Sequence, residues 1–122
     1  GGNPVSCAAA IAAIGVHRRL RLAEAARQKG ERLLADLRRD LAGCPEVGDI
    51  RGRGLMIGIE LVRPGGHPAP ERARQARAAC REAGVLIGVG GLHGNVLRIQ
   101  PPLIVDDAQL ARIAEALRNA LR

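Results

Sequence analysis

Arg98 is the residue whose type and position in this sequence best suit it to bind a charged ligand. It lies between Leu97 and Ile99, and because side chains alternate across a strand, we expect it to point away from the apolar core. A guanidinium held there could bind a carboxylate through two parallel hydrogen bonds. An ordinary solvent-facing arginine on a one-sided sheet would show the same spacing. The local pattern therefore leaves both interpretations open.

A glycine-rich stretch, residues 88–94, precedes this segment and contains His93. It has some likeness to a dinucleotide-binding loop, but the segment that follows is a predicted strand, whereas such loops open a helix. We therefore expect a flexible connection between two strands. His93 could act as an acid, a base or a ligand, but no Asp, Glu or Cys lies close to it in the sequence.

A second basic segment, Arg51-Gly52-Arg53-Gly54, could contact phosphate or acidic groups, and a bend with exposed arginines explains it equally well. Glu60, which lies among apolar residues, could pair with one of these arginines. The cysteines, Cys7, Cys44 and Cys80, are odd in number and form no C-x-x-C pair. We therefore expect no disulfide framework and no metal site, but reduced thiols in a cytoplasmic protein.

The composition limits the classes of partner. The 122 residues carry a net charge of +7, and apart from Lys29 all basic residues are arginine, yet they are scattered among acidic ones and no aromatic residue is present for base stacking. A solvated arginine-rich surface is therefore expected, and no nucleic-acid partner. No apolar run approaches the roughly 20 residues that span a bilayer, so no membrane partner is expected either. The chain begins without Met, and we expect it to be a piece of a longer protein.

The apolar pattern predicts helix, helix, strand, helix, strand, strand, helix, an α+β fold with a small, mostly antiparallel sheet and helices on one face. The first helix begins at Asn3-Pro4 and breaks between residues 16 and 22. Leu33, Leu37 and Leu41 mark the second helix, and residues 70–83 the third. The last helix follows a capping box at Asp106. The strands are expected at residues 55–62, 85–89 and 96–100.

Three segments resemble class III aminotransferases, which depend on pyridoxal phosphate. Residues 1–10 (GGNPVSCAAA) resemble the GGNP segment of that family, and residues 47–61 (VGDIRGRGLMIGIEL) its V-x-x-x-R-G-x-G-L-x-x-x-x-E-L stretch. Residues 93–103 (HGNVLRIQPPL) resemble its H-G-N-x-x-R-x-x-P-P-L ending. The three stand in the family's order and cover nearly the whole chain. The best match within the class is the alanine–glyoxylate type, and the ornithine, acetylornithine and 4-aminobutyrate enzymes share much of the pattern.

The resemblance implies the C-terminal small domain of a fold type I pyridoxal-phosphate enzyme that works as a homodimer on amino acids and 2-oxo acids. It implies that Arg98 binds the substrate carboxylate, that Gly2 and Asn3 lie at the cofactor, and that His93, Gly94 and Asn95 form a loop near the site. It divides the chain into a helical segment, residues 1–42, and a small α+β domain, residues 43–122.

The same resemblance implies that the lysine bonded to the cofactor lies upstream, so no catalytic residue is assigned within the chain. Lys29 stands in a charged helical stretch, and an exposed lysine is mostly protonated at neutral pH and a poor nucleophile. We therefore expect the 122 residues alone to be inactive. The alternatives are a free-standing α+β module that binds a small acid and, third, a basic nucleic-acid-binding domain.

Overall fold

The computed structural model of the chain describes residues 2–122, which form an α+β fold of four helices and four strands. The elements in chain order are α1 (Pro4–Arg19), α2 (Leu22–Asp40), β1 (Val47–Arg53), β2 (Met56–Leu61), α3 (Pro70–Glu82), β3 (Gly88–Gly90), β4 (Val96–Ile99) and α4 (Asp107–Leu121). The strands form one sheet in the order β1-β2-β4-β3, and every neighbouring pair is antiparallel. The expected fold class is confirmed, and the expected number of strands was one too few.

The missed strand is β1, in the segment where the glycines suggested only a bend. β1 forms a hairpin with β2, and the bend lies at Gly54, whose φ is +55°. A side chain at position 52 would come within 2.5 Å of the Met56 carbonyl oxygen. Gly52 therefore lets the two strands of the hairpin approach each other, so this glycine favours the strand that it was expected to interrupt.

The second predicted strand is also shifted along the chain. Strand pairing covers Gly88–Gly90, whereas residues 85–89 were expected. The amide of Val85 donates to the Cys80 carbonyl oxygen at 2.8 Å, and Gly84 has φ +77°. This left-handed glycine and the backward hydrogen bond complete the C-terminal cap of α3. Val85 therefore belongs to the end of the helix and cannot begin the sheet ladder.

The core lies on one face of the sheet, under α2, α3 and α4. The largest of its fully buried apolar side chains are Leu37, Ile59, Leu61, Leu97, Ile99, Leu117 and Cys80. The predicted α2 stripe of Leu33, Leu37 and Leu41 is buried as expected. The other face of the sheet carries no helix of residues 2–122. This open face is the surface on which Arg98 lies.

The first helix stands apart from this body. It begins as expected, with the Asn3 side chain accepting from the amides of Val5 and Ser6. It ends within the expected interval at an elbow, where Arg21 has φ +49°. Among the elements of residues 2–122, α1 contacts only α2, and it buries no residue. The helix is therefore formed by local signals and not by packing within this part of the chain.

Candidate functional site

Arg98 lies on the open face of the sheet, in the strand between β2 and β3. Its neighbours Leu97 and Ile99 are buried, whereas Arg98 is exposed, so the expected orientation is confirmed. Directly opposite Arg98 lie Gly58 on β2 and Gly88 on β3. Within residues 2–122 its guanidinium makes no ion pair. The arginine therefore presents an uncompensated positive charge above a surface with little side-chain cover.

The guanidinium leans toward β3. A Cβ atom placed on Gly90 would lie 3.1 Å from Arg98 Nε and 3.5 Å from Cζ, and one placed on Gly88 would lie 3.4 Å from Nε. The side chain of Arg98 thus rests on the backbone of the edge strand. The sequence analysis assigned both glycines to a flexible connection, and Gly88 also to the predicted strand 85–89, without a role beside Arg98. Gly88 and Gly90 are two residues apart, so in a strand they lie on the same face. This spacing, next to a strand with one outward arginine, could have identified them as neighbours of Arg98.

The other arginine of this row is already paired. Arg51 lies across Gly58 from Arg98, and its Nη1 donates to Asp49 Oδ2 at 2.8 Å and to Glu60 Oε2 at 2.7 Å. These hydrogen bonds, first that of Asp49 and then that of Glu60, raise the pKa of Arg51. The expected pairing of Glu60 is confirmed. Because Arg51 is neutralised, Arg98 is, within residues 2–122, the unpaired arginine of the two in this row.

The loop before β4 is anchored at its last residue. Asn95 is 2% exposed, and its Nδ2 donates to the Leu61 carbonyl oxygen at 2.9 Å. The Leu61 amide donates in return to the Asn95 carbonyl oxygen at 2.8 Å. Gly94 has φ +65°, and His93 is exposed. Asn95 thus ties the loop to the end of β2 and fixes where β4 begins, a role that the sequence pattern did not indicate.

Gly2 and Asn3, the predicted cofactor residues, lie at the start of α1, and Gly1 lies outside the described residues. The Oδ1 atom of Asn3 accepts from Val5 and Ser6, and its carbonyl oxygen accepts from Cys7. Pro4 has no amide hydrogen, so the cap occupies the donors of the first turn. The backbone amides of Gly2 and Asn3 and the side-chain amide of Asn3 remain for a ligand. Since α1 contacts no strand, these residues are not brought together with Arg98 within residues 2–122.

Lys29 differs from the expectation of an exposed, solvated amine. Its side chain is half-buried, and Nζ donates to the Val105 carbonyl oxygen at 2.5 Å. The expectation was wrong because the loop after β4 folds back onto α2, a long-range contact that the local charge pattern does not show. Lys29 therefore holds that loop in place, and its position is structural.

The remaining chemical groups of residues 2–122 do not assemble into a site. Cys7 is exposed, Cys44 is half-buried and Cys80 is buried, where burial raises the pKa of its thiol. In this part of the chain no three His, Cys, Asp or Glu side chains lie close enough to hold a metal ion. None of its helices combines the length and apolarity that a membrane crossing requires. Arg98 and the two glycines on which it rests, Gly88 and Gly90, remain the candidate site.

Several known proteins are similar to this chain in sequence and in structure. The chain is 39% identical to the diaminobutyrate–2-oxoglutarate aminotransferase of Rhizobium meliloti over 98% of its own length, and 41% identical to the 4-aminobutyrate aminotransferase of Mycobacterium leprae over 99%. It superimposes on an aminotransferase of Bacillus anthracis with a TM-score of 0.93 at 34% identity, covering 99% of this chain and 28% of that one.

These relatives are much longer than this sequence. The chain spans 27% of the length of both named enzymes. The model of the family "Aminotransferase class-III" matches residues 1–121. The chain therefore belongs to the class III aminotransferase family.

Proposed function

We propose that this chain is the C-terminal part of a pyridoxal-phosphate-dependent aminotransferase, which transfers an amino group from an amino acid or amine to a 2-oxo acid. Family membership over residues 1–121 supports the reaction class. The observation that carries the proposal is the unpaired guanidinium of Arg98 on the open face of the sheet. An arginine in this position suits a substrate that bears a carboxylate.

The role of Arg98 is to bind and orient the substrate carboxylate. Guanidinium and carboxylate match in a two-pronged geometry, which fixes the direction of the substrate as well as its position. Holding the substrate in this way removes rotational freedom before the reaction begins. The named relatives act on diaminobutyrate and 4-aminobutyrate, which favours a substrate with an amine at one end and a carboxylate at the other. The alanine–glyoxylate subtype stays a prediction.

The residues of this chain fit the cofactor only in part. Lys29, the sole lysine, is engaged with the Val105 carbonyl oxygen, and no aromatic side chain is present to stack on a pyridine ring. The backbone amides of Gly2 and Asn3 could donate to a phosphate. Pyridoxal phosphate supplies the electron sink of such enzymes, and the protein supplies binding and orientation. We assign the attachment of the cofactor to residues outside this chain and propose that the 122 residues alone are inactive.

The remaining assignments follow from the same proposal. Residues 1–42 lead from the rest of the enzyme, and residues 43–122 form the small domain, although Leu33 and Leu37 of α2 share the core of the sheet. The exposed apolar side chains of α1, Val5, Ile11 and Ile14, are covered by another part of a homodimer. The loop of His93, Gly94 and Asn95 lies near the substrate. A cytoplasmic location stays a prediction.

The experiment is a kinetic comparison of Arg98→Ala, Arg98→Lys and the unchanged complete protein. Loss of a charge-assisted, two-pronged contact costs roughly 2–4 kcal/mol, so KM for the carboxylate substrate should rise about thirty-fold or more. The KM of Arg98→Lys should lie between those of the unchanged protein and Arg98→Ala, since lysine keeps the positive charge but cannot form the two-pronged hydrogen bond. Arg53→Ala removes an exposed arginine of the same sheet and is the control. An unchanged KM in Arg98→Ala would show that Arg98 does not bind the substrate.

A further inference from the structure

We propose that Gly88 and Gly90 of β3 are positioning residues for Arg98. The absence of side chains at these two positions leaves the space in which the guanidinium lies. The inference rests on the proposed function of Arg98 and adds how its direction is set. In this account β3, the edge strand, determines where on the open face a substrate carboxylate can be bound.

The contacts at the two glycines all involve the same side chain. The three atoms nearest to a Cβ placed on Gly90 are Nε, Cδ and Cζ of Arg98, at 3.1, 3.2 and 3.5 Å. The three nearest to a Cβ placed on Gly88 are Nε, Nη2 and Cβ of Arg98, at 3.4, 3.5 and 3.6 Å. A side chain at either position would therefore compete with the guanidinium for space, most strongly at position 90.

The opposite neighbour of Arg98 shows that this arrangement is one-sided. Gly58 faces Arg98 from β2 in the same register in which Gly88 faces it from β3. A Cβ placed on Gly58 would meet Val96 at 3.1 Å and no atom of Arg98 within 4 Å. The guanidinium thus lies over β3 and away from β2. Gly58 is a suitable control, because it lies directly across from Arg98, as Gly88 does, but does not contact the Arg98 side chain.

The backbone itself does not require glycine at these positions. Gly88 and Gly90 are paired in the sheet, and neither has a positive φ, unlike the adjacent Gly91 at +84°. Glycine in the interior of a strand weakens it and often marks a close approach of another group. Two glycines in a three-residue edge strand are therefore best explained by the space that Arg98 occupies.

A guanidinium resting on backbone gains an orientation that a fully solvated one lacks. The stem of Arg98 lies across β3, so fewer rotamers remain to be lost when a carboxylate binds. A misplacement of a binding group by about 1 Å can reduce activity by about a hundredfold. The glycines therefore contribute to recognition without contacting the substrate.

The test measures KM in the complete, cofactor-loaded enzyme for a carboxylate-bearing amino donor and for an amine without a carboxylate. The variants are Gly90→Ala, Gly90→Val, Gly88→Ala and the control Gly58→Ala. For the carboxylate donor, KM should rise severalfold in Gly90→Ala, at least about tenfold in Gly90→Val and least in Gly88→Ala. In the Gly88 and Gly90 variants the KM of the amine and the thermal midpoint should change little, because the displaced atoms belong to one flexible, exposed side chain. Gly58→Ala should leave the KM of the carboxylate donor nearly unchanged, because its Cβ would meet Val96 and no atom of Arg98.

Combining Gly90→Val with Arg98→Ala distinguishes the positioning role of the glycines from the carboxylate-binding role of Arg98. In that background Gly90→Val should have no further effect on KM, because the side chain that it displaces is gone. An effect of Arg98→Ala with none of Gly90→Val or Gly88→Ala would overturn the positioning role and leave the carboxylate role intact. Equal rises for the amine and the carboxylate donor would also overturn it, since they would indicate obstruction of the site. An unchanged KM in Arg98→Ala would overturn both the positioning role of the glycines and the carboxylate role of Arg98.

Discussion

Helices α1 and α4 are nearly equal in length and have equally good local start signals, yet they differ completely in burial. α1 has Asn3 as its N-cap and Pro4 at its first position, and α4 has a full capping box at Asp106. α4 buries five residues, whereas α1 buries none, and Ile11 of α1 is 71% exposed. The comparison shows that caps decide where a helix begins, whereas the neighbouring surface decides what the helix contributes to stability.

Under the proposed function, the difference in burial between α1 and α4 has a consequence for the complete enzyme. The body formed by α2, α3, α4 and the sheet has its own core and carries Arg98. The apolar side chains of α1 have no core to join within residues 2–122. We therefore expect the stability of the isolated chain to be insensitive to α1 and that of the complete enzyme to depend on it.

The largest expected contrast is between Leu117→Ala and Ile11→Ala. Leu117 of α4 is fully buried, and truncation of such a leucine costs about 2–5 kcal/mol of unfolding free energy, since a cavity is left behind. Ile11→Ala in the isolated chain should change it by no more than about 0.5 kcal/mol. Urea denaturation followed by circular dichroism measures both.

The same pair of variants in the complete enzyme extends the contrast. There Ile11→Ala should become clearly destabilising if another part of the protein covers α1. Equal, small effects of Ile11→Ala in both contexts would contradict the proposed packing of α1. A large effect already in the isolated chain would contradict the separation of the two regions.

A smaller contrast is expected from the two caps. Asp106→Ala removes the acceptor for the Gln109 amide, which lies 2.7 Å away, and should cost about 1 kcal/mol of unfolding free energy. Asn3→Ala should lower the helical signal slightly and leave the unfolding midpoint of the isolated chain unchanged, because α1 buries nothing. Glu115→Ala, which removes an exposed acid of the same helix that makes no ion pair within residues 2–122, is the control. Equal shifts of the midpoint for both caps would show that α1 is coupled to the core.

The smallest effect concerns the elbow that joins the two regions. Hydrogen bonds from Arg27 and then Gln28 lower the pKa of Glu24 from 4.5 to about 2. A lowered folded-state pKa stabilises the fold above the unfolded value, and this contribution is lost as pH falls from about 4.5 through about 2. Because the pair is exposed, the loss should be slight. An NMR titration should give a Glu24 midpoint near 2, and a higher one in Arg27→Gln; a wild-type midpoint near 4.5 would contradict the pairing.

Local signals predicted the helices and the orientation of Arg98, because each rests on neighbouring residues alone. The cap at Asn3, the capping box at Asp106 and the outward position of Arg98 between Leu97 and Ile99 all follow from short-range rules. The body of the fold was therefore largely predictable, including the α2 leucine stripe.

Features set by contacts with another element were not predictable from such rules. β1 exists because Gly52 allows a close hairpin, and Lys29 is half-buried because the Val105 loop returns to α2. The anchor of Asn95 to Leu61 spans 34 residues. The lean of Arg98 over Gly88 and Gly90 likewise depends on strand order. In each case the deciding neighbour comes from another element.

Under the proposed function this chain carries the carboxylate-binding arginine and the cofactor attaches elsewhere. The most direct test is a titration with pyridoxal phosphate. The purified 122-residue chain, its Lys29→Ala variant and the complete enzyme would be titrated and followed by absorbance. We predict saturable binding for the complete enzyme only, because Lys29 is engaged with the Val105 carbonyl oxygen. Saturable, Lys29-dependent binding to the isolated chain at micromolar pyridoxal phosphate would contradict the account.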